Sequence, residues 1–504
     1  MRHETTEVLI VGGGLTGLSA AAFLSAQGVA NLLVEKHEGL SIHPRARGFN
    51  PRGMELLRAL GLEAELLAAT GGFADFVTRA RVESLMGPEF ESVTLPLRAD
   101  LRDISPSRWC LSSQDRVEPL LYARARELGA QLSFGTELIG LEQDDEGVLA
   151  RLPDRTVRAR YAIAADGAQG GVRERLGIAR TGPGVLANQM SILFRGDLSG
   201  PLRGRRFAVC QIVNPEVQGI LAHDDTLSIG TLIVRCRPED RSFTGERCLS
   251  LIRGAVGDPA FDAQIIAAMP WELAAWSAAR YRVGRVFLAG DSAHVLPPVG
   301  GFGASLGMQD AYNLAWKLAH VLQGRAGAGL LDTYDPERRA VGDLTVAYSH
   351  RRIAAGRGVT GGAAPLDGLD ELTMTFGYRY GAAPEDPHRP SAAPGARAPH
   401  LVLERRGDLL SVIDLFGRDL VLLAGPQGGG WREPAHRTAR RLSVRLDVHV
   451  LAGELLDAED RWEKVYGLGG DGAVLVRPDG FVAWRSDLEE SLDQAVKRVL
   501  SLSA

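Results

Sequence analysis

The segment that most restricts the fold is VGGGLTGLS, Val11 to Ser19. Its glycines at 12, 14 and 17 match G-x-G-x-x-G, the turn that joins a strand to a helix and lets a dinucleotide pyrophosphate meet the helix N-terminus. In a chain with 60 glycines among 504 residues the pattern alone decides nothing, so its surroundings must. Val8-Leu9-Ile10-Val11 is a continuous β-prone run, as in buried parallel strands. Behind the glycines, Leu18, Ala21, Ala22 and Leu24 form the small, apolar face of a helix that Gly28 ends. A second strand over 31–34 leads to Glu35, 21 residues past Gly14, where a carboxylate can accept from ribose hydroxyls. Together these features predict a βαβ dinucleotide unit in an α/β fold.

The stretch after Glu35 separates the dinucleotides. A nicotinamide dehydrogenase would continue with further strands at short spacing, whereas here the chain becomes irregular and carries Arg45, Arg47 and Arg52. Asn50 is placed to cap, and Pro51 to start, a helix with Met54, Leu57 and Leu60, and Gly61 at its end. Far downstream, RVFLAGDSAHVLPPVGGFGASLGMQDAYNLAWKLAHVL contains a short apolar strand over 286–289 ending in Gly290-Asp291. A carboxylate there can accept hydrogen bonds from a polyol such as a ribityl chain. The loop 297–303 has little side-chain bulk and is open to a planar ring. Its helix places Ala304, Met308, Ala311, Ala315, Leu318 and Leu322 in one stripe. The free N–H groups at the start of that helix would stabilise negative charge on a reduced ring.

These residues resemble the single-component flavoprotein aromatic hydroxylases related to p-hydroxybenzoate and phenol hydroxylases. The resemblance extends to the D-G motif at Asp166-Gly167, behind a strand over 162–165, and to Gln114, which opens a helix that Ser113 would cap. It also covers Arg45, in a P-R-A segment. It implies FAD held by Gly12, Gly14, Gly17, Glu35, Arg45, Gln114, Asp166, Gly290, Asp291, Pro298, Gly303, Ala304 and Ser305, with Pro297 and Gly301 beside the reacting atoms. Many relatives carry Asn-Thr where this chain has Ser305-Leu306, so those side-chain contacts differ. The implied reaction is reduction of FAD by NADPH or NADH, addition of oxygen to form a flavin hydroperoxide, and transfer of its distal oxygen to an electron-rich ring carbon. No metal is required.

The architecture implied is a Rossmann-like FAD-binding domain, discontinuous over 1–78, 107–181 and 283–360. A β-sheet substrate domain, 79–106 and 182–282, is inserted into it. A linker over 361–395, rich in Gly, Ala and Pro, leads to a thioredoxin-like domain at 396–504. No cysteine follows Cys248, so that domain lacks a C-x-x-C pair and is expected to be structural or assembling. The inserted piece alternates over 190–194, 207–213 and 227–234, as does a sheet with one face over a ligand cavity. His223 on that sheet is the candidate for drawing the proton from a phenol; Arg235 and Gln211 are alternative pocket residues.

Lys and Arg total 57 against 62 Asp and Glu, so no basic excess points to nucleic acid or an anionic membrane. The four cysteines lack metal or dithiol spacing and suit a reducing cytoplasm. Residues 8–26 are uncharged, but Glu4 and Glu7 precede them where a signal peptide needs basic residues, and three glycines interrupt the run. The expectation is a cytoplasmic monooxygenase, monomer or homodimer, acting with oxygen on a phenolic, polycyclic polyketide. Baeyer–Villiger insertion on the same scaffold is the first rival, and a non-catalytic flavin-binding protein the second. A halogenase lacks support, since Trp271 and Trp276 do not form W-x-W-x-I-P.

Overall fold

The computed structural model describes residues 2–73, 76–95, 99–240, 242–355, 365–366 and 368–502. In chain order its main elements begin with β1 (Arg2–Val11), α1 (Leu15–Ala26), β2 (Asn31–Glu35), α2 (Pro51–Ala59), β3 (Thr78–Val82), β4 (Glu89–Thr94), α3 (Gln114–Glu127), β5 (Gln131–Phe134) and β6 (Arg155–Ala164). They continue with β7 (Arg180–Arg195), β8 (Phe207–Val213), β9 (Gln218–His223), β10 (Ile229–Cys236), α4 (Gly245–Val256), β11 (Gln264–Ala278), β12 (Val286–Leu288), α5 (Phe302–Leu322) and α6 (Tyr334–Ala354). Last come β13 (Leu420–Ala424), β14 (Leu446–Val450), β15 (Ala473–Val476) and β16 (Val482–Arg485).

Strands β12, β6, β1, β2 and β5 lie side by side in that order and run parallel. Parallel strands are covered on both faces, which is why Val8–Val11 and 31–34 are apolar at nearly every position and buried. Ala20, Ala21 and Ala22 are fully buried in α1, and their small size lets it lie close to its neighbours α3 and α5. The Asn50 side chain caps α2 by accepting from the Gly53 N–H at 2.9 Å, with Pro51 in the first turn. Ser113 does precede α3, but its hydroxyl makes no capping bond.

A second sheet runs β11–β7–β10–β9–β8–β3–β4. One of its faces carries Met190, Ile192, Phe194, Cys210, Ile212, Leu221, Leu232 and Val234 into a core with Cys248, Ile252 and Val256 of α4. The alternate residues, Leu193, Gln211, Thr231 and Ile233 among them, belong to the opposite face, outside that core.

Near the C-terminus a four-stranded mixed sheet, ordered β14–β13–β15–β16, packs helices 432–442 and 492–499 and takes Trp316 of α5 into its core. Around that contact Arg477 pairs with Glu337 at 2.6 and 2.8 Å, Lys317 meets Glu337 at 2.6 Å, and Asn313 donates to Asp479 at 2.9 Å. Residues 361–364 and 367 of the expected linker lie outside the described residues. No helix among the described residues is long and apolar enough to cross a membrane.

Candidate functional site

The three fingerprint glycines serve two purposes. Gly12 has φ +109°, and a Cβ there would lie 2.2 Å from the Ala165 carbonyl oxygen; one on Gly17 would lie 1.9 Å from the Gly12 oxygen. The fold itself requires both. A Cβ on Gly14, by contrast, would meet nothing nearer than Glu118 Oε1 at 3.9 Å. The open space lies before the N-terminus of α1, which has no side-chain cap and no acid in its first turn, and so suits a ligand phosphate. At the end of β2, Glu35 accepts from the Gly13 N–H at 2.6 Å and the His37 N–H at 2.9 Å. Burial alone would raise its pKa, but those N–H groups hold it below the ordinary carboxylate value, an ionised acceptor for ribose.

Asp291 is reachable by solvent, yet protein surrounds it closely enough that burial pushes its carboxyl upward; it therefore lines a deep groove. Arg45 faces both Asp291 and Glu118 across that groove. The Gln114 amide donates to Glu118 at 2.6 Å. Behind the turn, buried Asp310 accepts from the Gly290 N–H at 3.0 Å and from Arg338 at 2.8 Å, and meets His294 Nε2 at 2.6 Å. The loop 297–301 folds over Pro297, whose oxygen accepts from the Val299 N–H at 2.7 Å; Pro297 is buried and Pro298 exposed. Gly301, at φ +60°, then starts α5 with no side-chain cap, and Trp109 would stand 3.2 Å from a Cβ placed on it. Gly303 and Ala304 are half-buried in the first turn.

Three expected site residues are engaged elsewhere. His223 points to the core face of the second sheet, its ring 4.9 Å from that of Phe76. Its Nε2 accepts from the Phe207 N–H at 3.2 Å, its Nδ1 lies 3.0 Å from the Asp224 oxygen, and burial pushes its pKa down to about 4. It cannot act as a base on a ligand lying over the opposite face. Asp166 accepts from Ser292 at 2.8 Å and from the Val172 N–H at 3.0 Å, joining two loops. Ser305 is fully buried, with Oγ beside Gly53, so its hydroxyl is turned from the groove. Gln211 and Arg235 do lie on the free face, and Arg47 donates to the His223 carbonyl. Trp109, Glu118 and Asp310 are not singled out by any motif; only Glu118, one helical turn past Gln114, has a signal in the sequence.

The FAD binding domain family matches residues 5–349, and the aromatic-ring hydroxylase C-terminal family matches 391–502. The chain is 41% identical to tetracenomycin A2 monooxygenase-dioxygenase of Streptomyces glaucescens, covering 99% of this chain and 98% of that protein. It is 42% identical to 4-methyl-5-nitrocatechol 5-monooxygenase of a Burkholderia species, covering 98% and 97%. Among solved structures, aklavinone-11 hydroxylase in a ternary complex with FAD and aklavinone superposes with a TM-score of 0.89 at 38% identity, over 99% of this chain and 100% of that one.

Proposed function

The chain belongs to the FAD-dependent aromatic-ring hydroxylases, and on that footing we propose that it adds one oxygen atom of O2 to a phenolic, polycyclic substrate of polyketide type, using NADPH or NADH. It is a monooxygenase with FAD as cofactor; the substrate and the reductant are the proposal. The free face of the second sheet carries it. Directly paired residues form a row across four strands there, Ser191, Ile233, Ile220 and Gln211. At about 4.8 Å per strand the row spans roughly 14 Å, from Gln211 over a floor of two isoleucines to Ser191, whose hydroxyl accepts from Trp271 Nε1 at 2.9 Å. A flat, multi-ring molecule bearing oxygen at both ends matches that floor, which a single phenol ring would leave largely uncovered.

Bound FAD would supply the activation of oxygen. Glu35 would hold its ribose, Arg45 and the α1 N-terminus its phosphates, and Asp291 its ribityl chain. The loop 297–303, with the Val299 and Phe302 side chains buried, would offer backbone to the ring, and Trp109 stands beside Gly301 at its edge. The discontinuous domain division, the cytoplasmic location and a monomeric or homodimeric state belong to the same proposal. A Baeyer–Villiger course is not favoured, because the relatives are named for monooxygenation and hydroxylation of aromatic compounds.

The test is oxidation of NADPH and NADH by the purified flavoprotein, with and without polycyclic and monocyclic phenols, each product checked by mass and NMR. Polycyclic phenols are expected to stimulate oxidation and to gain a ring hydroxyl. Turnover of monocyclic phenols alone would overturn the substrate assignment, and oxygen inserted into a ring would overturn the reaction.

A further inference from the structure

Away from the flavin groove, a cavity of about 290 Å³ opens where residues 103–104, the turn Thr373–Gly377, the loop 385–390, residues 397–400 and the short helix Trp462–Tyr466 meet. Among the described residues, none from the flavin groove or the second sheet lines it. Its volume is at the lower end for small-molecule sites. The apolar walls are Ile104, Phe376, Val465 and three prolines.

The charges around this cavity are unevenly matched. Of its two acids, Asp103 is taken by Arg461 at 2.8 Å, and Glu385 by the Ser391 hydroxyl at 2.6 Å and Arg379 at 3.6 Å. Arg397 is spent on Glu55 and on the Ile104 oxygen, which accepts at 3.1 Å. Arg389 and Lys464 remain. Both are exposed, and so stand at the rim, and neither has an acid partner among the described residues.

His400 supplies the independent sign of a ligand. It lines the cavity and is only 4% exposed. Ser411 Oγ accepts from the Ile413 N–H at 3.3 Å, so its own proton goes to His400 Nδ1, 2.9 Å away. Burial keeps the ring neutral, its pKa pushed down to about 4, and its one proton therefore sits on Nε2. That N–H has no acceptor among the described residues, yet it is not sealed by protein as the unpartnered Nδ1 of His320 is, so it faces the cavity. A buried donor without an acceptor is costly, and an acceptor brought in by a ligand would remove the cost.

We propose that this cavity is a second binding site, one for a small organic carboxylate. The His400 Nε2–H and the Arg389 and Lys464 cations hold the anion, and the apolar walls cover its hydrocarbon part. No groove residue takes part, so failure of the substrate assignment would leave the inference standing.

The test is calorimetric titration of the FAD-loaded enzyme with cyclohexanecarboxylate, a carboxylate without a phenol, and with the neutral cyclohexanecarboxamide. The carboxylate is expected to bind with a Kd of about 1 mM or tighter, more weakly in high salt, and the carboxamide at least about tenfold more weakly. Arg389→Glu combined with Lys464→Glu should weaken the carboxylate at least about tenfold, with melting temperature and flavin content unchanged because both residues are exposed. His400→Phe should weaken it several-fold; if that variant does not fold, the double variant decides. No carboxylate binding up to about 10 mM, or carboxamide binding as tight as the carboxylate, would overturn the proposal. So would an unchanged Kd in the double variant, which would put the carboxylate elsewhere, the flavin groove included.

Discussion

Gly14 and Gly17 are chemically alike and three residues apart, yet only one is glycine for the sake of the fold. Gly14→Ala would place its Cβ in open space, so apo-protein stability should change by less than about 1 kcal/mol. FAD should lose at least about tenfold in affinity, read by quenching of its fluorescence. Gly17→Ala drives a Cβ into the Gly12 oxygen and should cost about 1–3 kcal/mol or more before any ligand is added. His223 carries the opposite lesson: a histidine whose residue type suggests chemistry is part of the architecture. His223→Leu strands the Phe207 N–H and should cost about 1–3 kcal/mol, while the pH profile of turnover stays as in wild type. A lost acid limb in that profile would restore the catalytic reading.

Neighbouring residues of β10 have separate duties because successive side chains leave opposite faces of a sheet. Leu232→Ala should open a cavity in the core under α4 and cost about 2–5 kcal/mol, measured by denaturant unfolding, with little change in substrate range. Ile233→Trp fills the free face and should raise KM for polycyclic phenols several-fold, with the melting temperature nearly unchanged. Alternation over 227–234 made the two-faced strand legible in the sequence, and the period of Met308, Ala311, Ala315 and Leu318 made the inner side of α5 legible. The other side of α5 was not. Asp310, Asn313 and Lys317 have the polarity of a solvent-facing surface, but all three are buried: Asp310 meets Arg338 of α6 and the turn after β12, Lys317 meets Glu337 of α6, and Asn313 meets Asp479 of the C-terminal part.

At the scale of the whole molecule, the C-terminal part is fastened by charge. Arg477→Ala leaves Glu337 and Asp479 short of their cation and should cost about 3–5 kcal/mol, whereas Lys317→Met, with Arg477 still bidentate on Glu337, should cost less. The molecule should also be acid-labile. Burial holds His223, His320 and His400 neutral down to about pH 4, whereas in the unfolded chain they take protons near pH 6.5. Their contribution is therefore complete above about pH 6.5 and is lost as pH falls toward 4; a melting temperature that stayed flat between pH 7 and 5 would contradict this. By itself the sequence determined the βαβ unit and the flavin turn, because each is written in contiguous residues whose spacing is that of a strand, a turn or a helix; the class of reaction followed from resemblance to the aromatic hydroxylases and not from spacing. Only the tertiary structure decided which way His223 faced, that Glu118 is buried beside Gly14 and that α5 has no free side. Each depends on which layer covers an element, and that partner is supplied by residues far away in the chain.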